Sequence, residues 1–175
     1  MSRPGITGET LESAYQDPDA WAERAAIVYR PLAHQLVQRC SPVAFEPGMR
    51  VLDVGTGTGL VAEALGHESR LHIVGVDRSA LMLAYHQGSR PPGVRADAAR
   101  LPFRCASFDV WVASFLLNHL APEPALQEAA RVLRPSGAVL ASTWPAVQPD
   151  PVKSAIDQVA HRSGWVPPGW YGEMK

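Results

Sequence analysis

The sequence predicts an α/β fold built on a mainly parallel sheet with helices on both faces. Three observations carry that expectation. Strand-like and helical patterns alternate between residues 49 and 143, which favours β-α units joined by right-handed crossovers. The runs Val51–Val54, Leu71–Val76 and Phe108–Ser114 are almost continuously apolar, as strands covered on both faces are. Gly55-Thr56-Gly57-Thr58-Gly59 stands at the first strand-to-helix junction, where glycines permit a tight turn and a close approach to the backbone.

The elements follow in order. Residues 1–10 are rich in Gly, Pro and Thr and read as loose. From Leu11 to Cys40 the pattern is helical. Asp17-Pro18-Asp19 reads as a cap and first turn, and Trp21, Ala25, Val28, Leu32 and Leu36 recur near helical spacing. Pro31 interrupts that stripe, so two helices or one kinked helix are expected. After a connector over 41–48, Val51–Val54 is the first strand and Leu60–Leu65 a helix closed by Gly66. Leu71–Val76 is the second strand and ends at Asp77; a helix from Ser79 to about Gln87 has Ser79 as its N-cap. Val94–Ala96 is a short third strand ending at Asp97, and Phe108–Ser114 is the fourth. Glu123–Leu133 reads as a helix with Leu126, Ala129, Ala130 and Leu133 on its apolar face. Arg134-Pro135-Ser136-Gly137 breaks it, and Ala138–Thr143 is the fifth strand. The stretch 144–175 changes character: it holds Pro145, Pro149, Pro151, Pro167 and Pro168 and three of the five tryptophans, with an amphipathic helix expected over Pro151–Arg162. The whole is read as one domain, 1–175, with N-terminal helices over 1–45, a core over 49–143 and this tail.

Composition narrows the classes. Apolar residues are 46 % and charged residues 19 %, as in globular proteins, and the formal net charge is −1, which supplies no basic excess for nucleic acid. The densest basic stretch, Arg90 to Arg104, carries four arginines among apolar and acidic neighbours and reads as a solvated loop rim. Two cysteines, Cys40 and Cys105, without a CxxC or a His/Cys cluster, argue against a disulfide scaffold or structural zinc and for reduced thiols in the cytoplasm. The N-terminus has no signal-peptide pattern, and no apolar run approaches the ~20 residues of a membrane span.

The glycine loop is the sharpest motif. It does not fit the dinucleotide pattern G-x-G-x-x-G, because the third position counted from Gly55 is Leu60 and the glycine stands at 59. It lacks the Gly-Lys-Ser/Thr of a triphosphate loop, and an acid, Asp53, precedes the first glycine by two. Asp-x-Gly-x-Gly-x-Gly after the first strand resembles motif I of the class I S-adenosylmethionine (SAM)-dependent methyltransferases. The resemblance extends to Val74-Gly75-Val76-Asp77, to Arg95 through Phe103, to Ser107–Val112 with Leu117-Asn118-His119-Leu120, and to Ala130 through Gly137. It spans roughly residues 27 to 144 and is strongest to the small-molecule type that includes ubiquinone-biosynthesis methyltransferases.

The resemblance implies a Rossmann-like three-layer α/β/α sandwich with strand order 3-2-1-4-5; the sequence departs from the family in offering no convincing strand pair for the antiparallel hairpin that usually follows strand five. It implies that Gly55, Thr56, Gly57 and Gly59 form the bed of the SAM tail, and that Asp53 orients this loop or meets the SAM ammonium through water. Asp77 would accept from the ribose hydroxyls, as a carboxylate at a strand end can, making charge-assisted hydrogen bonds. Asp97 would accept from the adenine amino group with help from the Ala98 backbone, and Arg78 and Leu81 would flank the ring. Ligands of open parallel sheets bind beyond the strand C-termini, where Asp53, Asp77, Asp97 and Ser114 all fall. Turn and capping roles for these residues, and a plain strand-end role for Ser114, stand beside the binding roles.

Methyl transfer is an in-line displacement at an activated sulfonium, so positioning is the main task and a base is needed only for a protonated acceptor. His119 is the candidate base; packing or capping the next helix is its other reading. Tyr15 and Tyr29 either close over the site or belong to the core. Ala113-Ser114-Phe115-Leu116-Leu117 is unlike the Asn/Asp-Pro-Pro-Tyr of amino-methylating DNA enzymes, which argues against base flipping. Three functions are therefore carried: methyl transfer to a small molecule with S-adenosylhomocysteine as product, a SAM- or nucleoside-binding accessory role without turnover, and methylation of protein or RNA. No membrane or nucleic-acid partner is expected. Strand five would be a bare edge, which invites association, so the tail or a second subunit is expected to cover it.

Overall fold

The computed structural model describes residues 17–40, 45–66, 70–144 and 162. Gly8–Thr143 form one compact unit, and a second joins Met1–Thr7 to Trp144–Lys175. The first unit carries every element described below. The expected tail helix, the tail packing and Tyr15 lie outside the described residues.

The chain runs through α1 (Pro18–Arg24), α2 (Ala26–Arg39), β1 (Arg50–Val54), α3 (Leu60–Leu65), β2 (His72–Asp77), α4 (Ala80–Ala84), a 3₁₀ turn (Gln87–Ser89), β3 (Gly93–Arg95), β4 (Phe108–Ser114), α5 (Pro122–Val132) and β5 (Leu133–Ser142). The five strands form one sheet in the order β3-β2-β1-β4-β5, as expected. Every pairing is parallel: Val51 faces Ile73 and Val110, and Val76 faces Val94.

Strand alternation divides the core. Val51, Val110, Val112 and Leu140 pack on one face with Ala26, Ala33 and Leu36 of α2 and Leu60 and Val61 of α3. Leu52, Val54, Trp111 and Ala113 pack on the other with Ala125, Ala129 and Val132 of α5 and with Leu101 and Phe108. Side chains on a strand point alternately to opposite faces, so both must be apolar where both are covered. Val51, Leu52, Val110 and Trp111 are all fully buried.

Several expected details differ. The N-terminal interruption falls at Ala25, not at Pro31, which lies inside α2. A proline there removes one donor, to the carbonyl of Ile27; Ile27 is 72 % exposed, so that carbonyl sits on the water side and the helix tolerates the loss. The buried face of α5 is Ala125, Ala129 and Val132, while Leu126 is 40 % exposed. The small alanines at i and i+4 allow close approach to the sheet and so set the helix phase. The helix after β2 is shorter than expected, with Ser79 Oγ accepting from the Met82 N–H at its start. β5 begins at Leu133: its register jumps between the pairs Phe108↔Leu133 and Val110↔Ala138, so the expected break is a bulge within the strand. Ser136 in that bulge has φ 69°.

Candidate functional site

The strands all end on one side, and a cleft of about 630 Å³ opens beyond those ends. Its floor is the glycine loop between β1 and α3, its sides the ends of β2 and β4 and the segment after β3.

The loop holds an unusual conformation, with φ of 72°, 51° and 95° at Gly55, Gly57 and Gly59. Local bonds fix it. The Gly55 and Thr56 N–H groups donate to the Val76 carbonyl at 2.8 and 2.9 Å. The Gly57 N–H donates to Asp77 Oδ2 at 2.9 Å. Thr56 also needs a glycine opposite: a Cβ at Gly75 would stand 2.9 Å from its Cγ2. At Gly57 the space a Cβ would take is open, its nearest neighbour being Gly55 O at 4.0 Å. Backbone there is available to a ligand.

Asp53 lies beneath the loop rather than in the cleft. Its carboxylate is buried, and Oδ2 accepts from the Thr56 hydroxyl at 2.7 Å while Oδ1 has no hydrogen-bond partner. Burial pushes its pKa up to about 6 against the opposing pull of the Thr56 hydrogen bond and the Arg90 charge, with Asp77 adding a smaller upward push. Asp77 lines the cleft at the end of β2, with Oδ1 accepting from the Ser79 N–H at 2.9 Å and Oδ2 from Gly57. A carboxylate offers about four acceptor sites, so each oxygen keeps one for a ligand.

The remaining expected residues divide. Gly55, Thr56, Gly57, Arg78, Asp97, Ala98, Ser114 and His119 line the same cleft as Asp77, and so does Leu81. Gly59 does not; it faces a separate groove behind the loop. Asp97 Oδ1 accepts from the Ala99 N–H at 2.9 Å, an Asx-type turn that exposes its backbone edge beside buried Ala98. Ser114 shares a 3.3 Å hydroxyl contact with Ser142. His119 follows a turn in which its N–H donates to the Leu116 carbonyl at 2.9 Å. It keeps over a third of its surface accessible, yet the protein around the ring holds its pKa below 6.5. Burial of the ring thus favours the neutral form, the one that can accept a proton.

Three features escaped the sequence. Trp21 stacks on Tyr29 with centroids 5.7 Å apart, and Tyr29 meets Phe115 edge-on at 5.3 Å. All three line the cleft, so Tyr29 does both things expected of it as alternatives, packing and facing the site. Phe115 adopts φ 58°, uncommon for an aromatic residue, which turns the chain sharply off β4. Arg131 and Glu128 of α5 clasp the segment after Asp97: Arg131 donates to the carbonyls of Phe103 and Leu101 at 2.7 and 3.0 Å, and Glu128 accepts from the Leu101 N–H at 2.6 Å. The Arg131 hydrogen bonds hold the Glu128 carboxyl below its ordinary range. Arg90, read as part of a solvated rim, instead reaches under the glycine loop. Spacing alone gives no sign of that reach.

Fold and cleft together define a doubly wound α/β protein with a cleft at the strand ends, where ligands of such sheets bind. Residues 52–141 match the family model described as a methyltransferase domain, and the chain belongs to that family. It is 41 % identical over 98 residues to a demethylmenaquinone methyltransferase of Mycolicibacterium paratuberculosis, covering 55 % of this chain and 42 % of that protein. It is 33 % identical over 142 residues to a probable S-adenosylmethionine-dependent methyltransferase of Mycolicibacterium smegmatis, covering 79 % and 51 %. The chain thus spans about half the length of the curated relatives it matches. Among solved structures, the YcgJ protein of Bacillus subtilis aligns with TM-score 0.59 and 26 % identity over 74 % of this chain and 58 % of that one. The [4+2]-cyclase SpnF aligns with TM-score 0.60 and 26 % identity over 68 % and 47 %.

The residues present fit SAM. Open space at Gly57 admits a ligand against the backbone, and Asp77 keeps acceptor capacity for two hydroxyls. The buried Oδ1 of Asp53 stays without a hydrogen-bond partner beneath the loop and keeps acceptor capacity there. Among the described residues no group of His, Cys, Asp and Glu is arranged to hold a metal, and no helix is long and apolar enough to cross a membrane.

Proposed function

We propose that this chain binds SAM in the cleft and directs its methyl group to a small-molecule acceptor, releasing S-adenosylhomocysteine. The observation that carries the reading is the convergence of the glycine loop, Asp77 and the Asp97–Ala98 turn on one cleft at the strand ends. SAM supplies an activated methyl on a sulfonium. The protein's share is geometry: Gly55 and Gly57 bed the amino-acid tail, Asp77 receives the ribose hydroxyls, and Asp97 with Ala98 receives the adenine. The acceptor enters beside Ser114, Phe115 and His119, under the wall of Trp21 and Tyr29. Neutral His119 takes the acceptor's proton where there is one to lose. Relatives named for demethylmenaquinone put quinone-type aromatic acceptors first among those to try.

Calorimetry with SAM, then turnover across candidate acceptors, tests this. Asp77→Ala is expected to weaken SAM binding by about 1.5–3 kcal/mol, the range for hydrogen bonds to charged groups, or roughly tenfold or more. Unchanged affinity in the folded variant, or tighter binding of NAD than of SAM, overturns the reading.

A second reading, SAM or nucleoside binding without methyl transfer, is favoured by the likeness to a structure named as a [4+2]-cyclase. SAM binding without S-adenosylhomocysteine production on any acceptor is its signature.

A further inference from the structure

Arg90 touches the glycine loop but lies outside the cleft, in the groove on the loop's other side. Its Nη1 donates to the Gly57 carbonyl at 2.9 Å and to the Met82 carbonyl at 2.8 Å. Its Nη2 donates to Thr56 Oγ1 at 3.1 Å. One planar fork thus ties two residues of the loop to the end of α4. The guanidinium also fills the space beside Gly59, where a Cβ would stand 3.6 Å from its carbon. We infer that Arg90 is a positioning residue for the methyl-donor site, fastening the glycine loop in the shape that beds the donor's amino-acid tail. The inference rests on the reading of the cleft as a SAM site.

Four features support this role. The loop packs three left-handed glycines into five positions; glycine enters that conformation freely and leaves it as freely, so bonds from outside select it. Asp77 grips Gly57 by its N–H from the cleft side, and Arg90 grips the same residue by its carbonyl from behind. The arginine's charge is matched by Asp53 and Asp77, whose fields both act on it. Thr56 links them, donating to Asp53 and accepting from Arg90. Arg90 Nε is buried without a partner. Such burial is costly, so the two Nη groups and their loop bonds must account for the placement. Lysine is a point charge without the planar fork and cannot reproduce the three bonds.

The test compares Arg90→Lys, Arg90→Gln and Arg90→Ala with the wild type. SAM affinity is read by calorimetry, and amide exchange at Gly55–Leu60 and along β4 is read in the unliganded protein. Arg90→Gln is expected to weaken SAM about tenfold and to speed exchange in the loop while β4 is unchanged. Arg90→Lys, which keeps the charge and is the safer variant for folding, is expected to fall between. Millimolar guanidinium, entering from the rear groove, is expected to restore part of the affinity of Arg90→Ala where urea does not. Wild-type affinity and wild-type loop exchange in Arg90→Gln overturn the inference. So does faster exchange in β4 and the loop alike, because Arg90 then supports the whole fold. If the wild type itself binds no SAM, the functional reading fails, and loop exchange alone still decides whether Arg90 fixes the loop.

Discussion

Asp53 is the residue whose chemistry departs furthest from its type. Its carboxyl is raised from 3.8 to about 6 by burial. A raised carboxyl means the folded state holds its proton more tightly than the unfolded state does. Between those two values the unfolded chain has released a proton that the folded one keeps, so stability falls as pH rises. The full contribution is present below about 3.8 and is lost above about 6. At about 1.36 kcal/mol per unit the span is about 3 kcal/mol. Asp53→Asn has no such dependence. Denaturant melts at several pH values are therefore expected to show its stability gaining on the wild type by up to about 3 kcal/mol from pH 4 to 6, then level. A pH-independent difference would mean that the carboxyl is not raised. The sequence marked Asp53 as functional but could not say that it sits under the loop, because burial is a property of the finished fold.

At the scale of elements, the sheet was readable and the joins were not. Strand identity follows from apolar runs and glycine punctuation, which survive any detail of packing, and strand order from the family resemblance of the motifs. The phase of α5 does not, because Leu126 and Ala125 both satisfy an apolar pattern and only the distance to the sheet chooses the alanine. Likewise, Arg134–Gly137 reads as a break in sequence, yet the strand absorbs it as a bulge. The aromatic wall of Trp21, Tyr29 and Phe115 joins residues far apart in sequence and has no local signature. Contacts between elements are also where substitution should bite. Gly75→Ala drives a methyl to 2.9 Å from Thr56 and is expected to cost about 1–3 kcal/mol, the usual range for overpacking. Gly88→Ala meets nothing within 4 Å and is expected to stay within about 0.5 kcal/mol. Equal losses in chemical denaturation of the two variants would refute the close contact.

For the whole molecule, cleft and core are one cooperative object: the cleft's floor is the loop that joins β1 to α3, and both pack in the core. A ligand that binds only the folded cleft stabilises it by about 2.7 kcal/mol at a hundredfold excess over Kd. At roughly 2–4 °C per kcal/mol for a chain of this size, SAM is expected to raise Tm by about 5–10 °C. Scanning calorimetry with and without SAM checks this, and no shift at saturating SAM counts against a site in the folded cleft. The global arrangement was legible because motif and topology agree, each placing the same acids at the same strand ends.

The seat of Thr56 against Gly75 has a consequence for how this sequence can vary. The two positions share one volume, so a side chain gained at 75 calls for a smaller residue at 56. Residue 56 is not free to shrink, because its hydroxyl donates to Asp53 and accepts from Arg90. A change in the middle of β2 thus reaches a buried acid and a base through a single hydroxyl. Positions 53, 56, 75 and 90 are expected to change together across sequences of this fold or not at all, with the strand glycine as the member whose link to charge is least visible from its own chemistry.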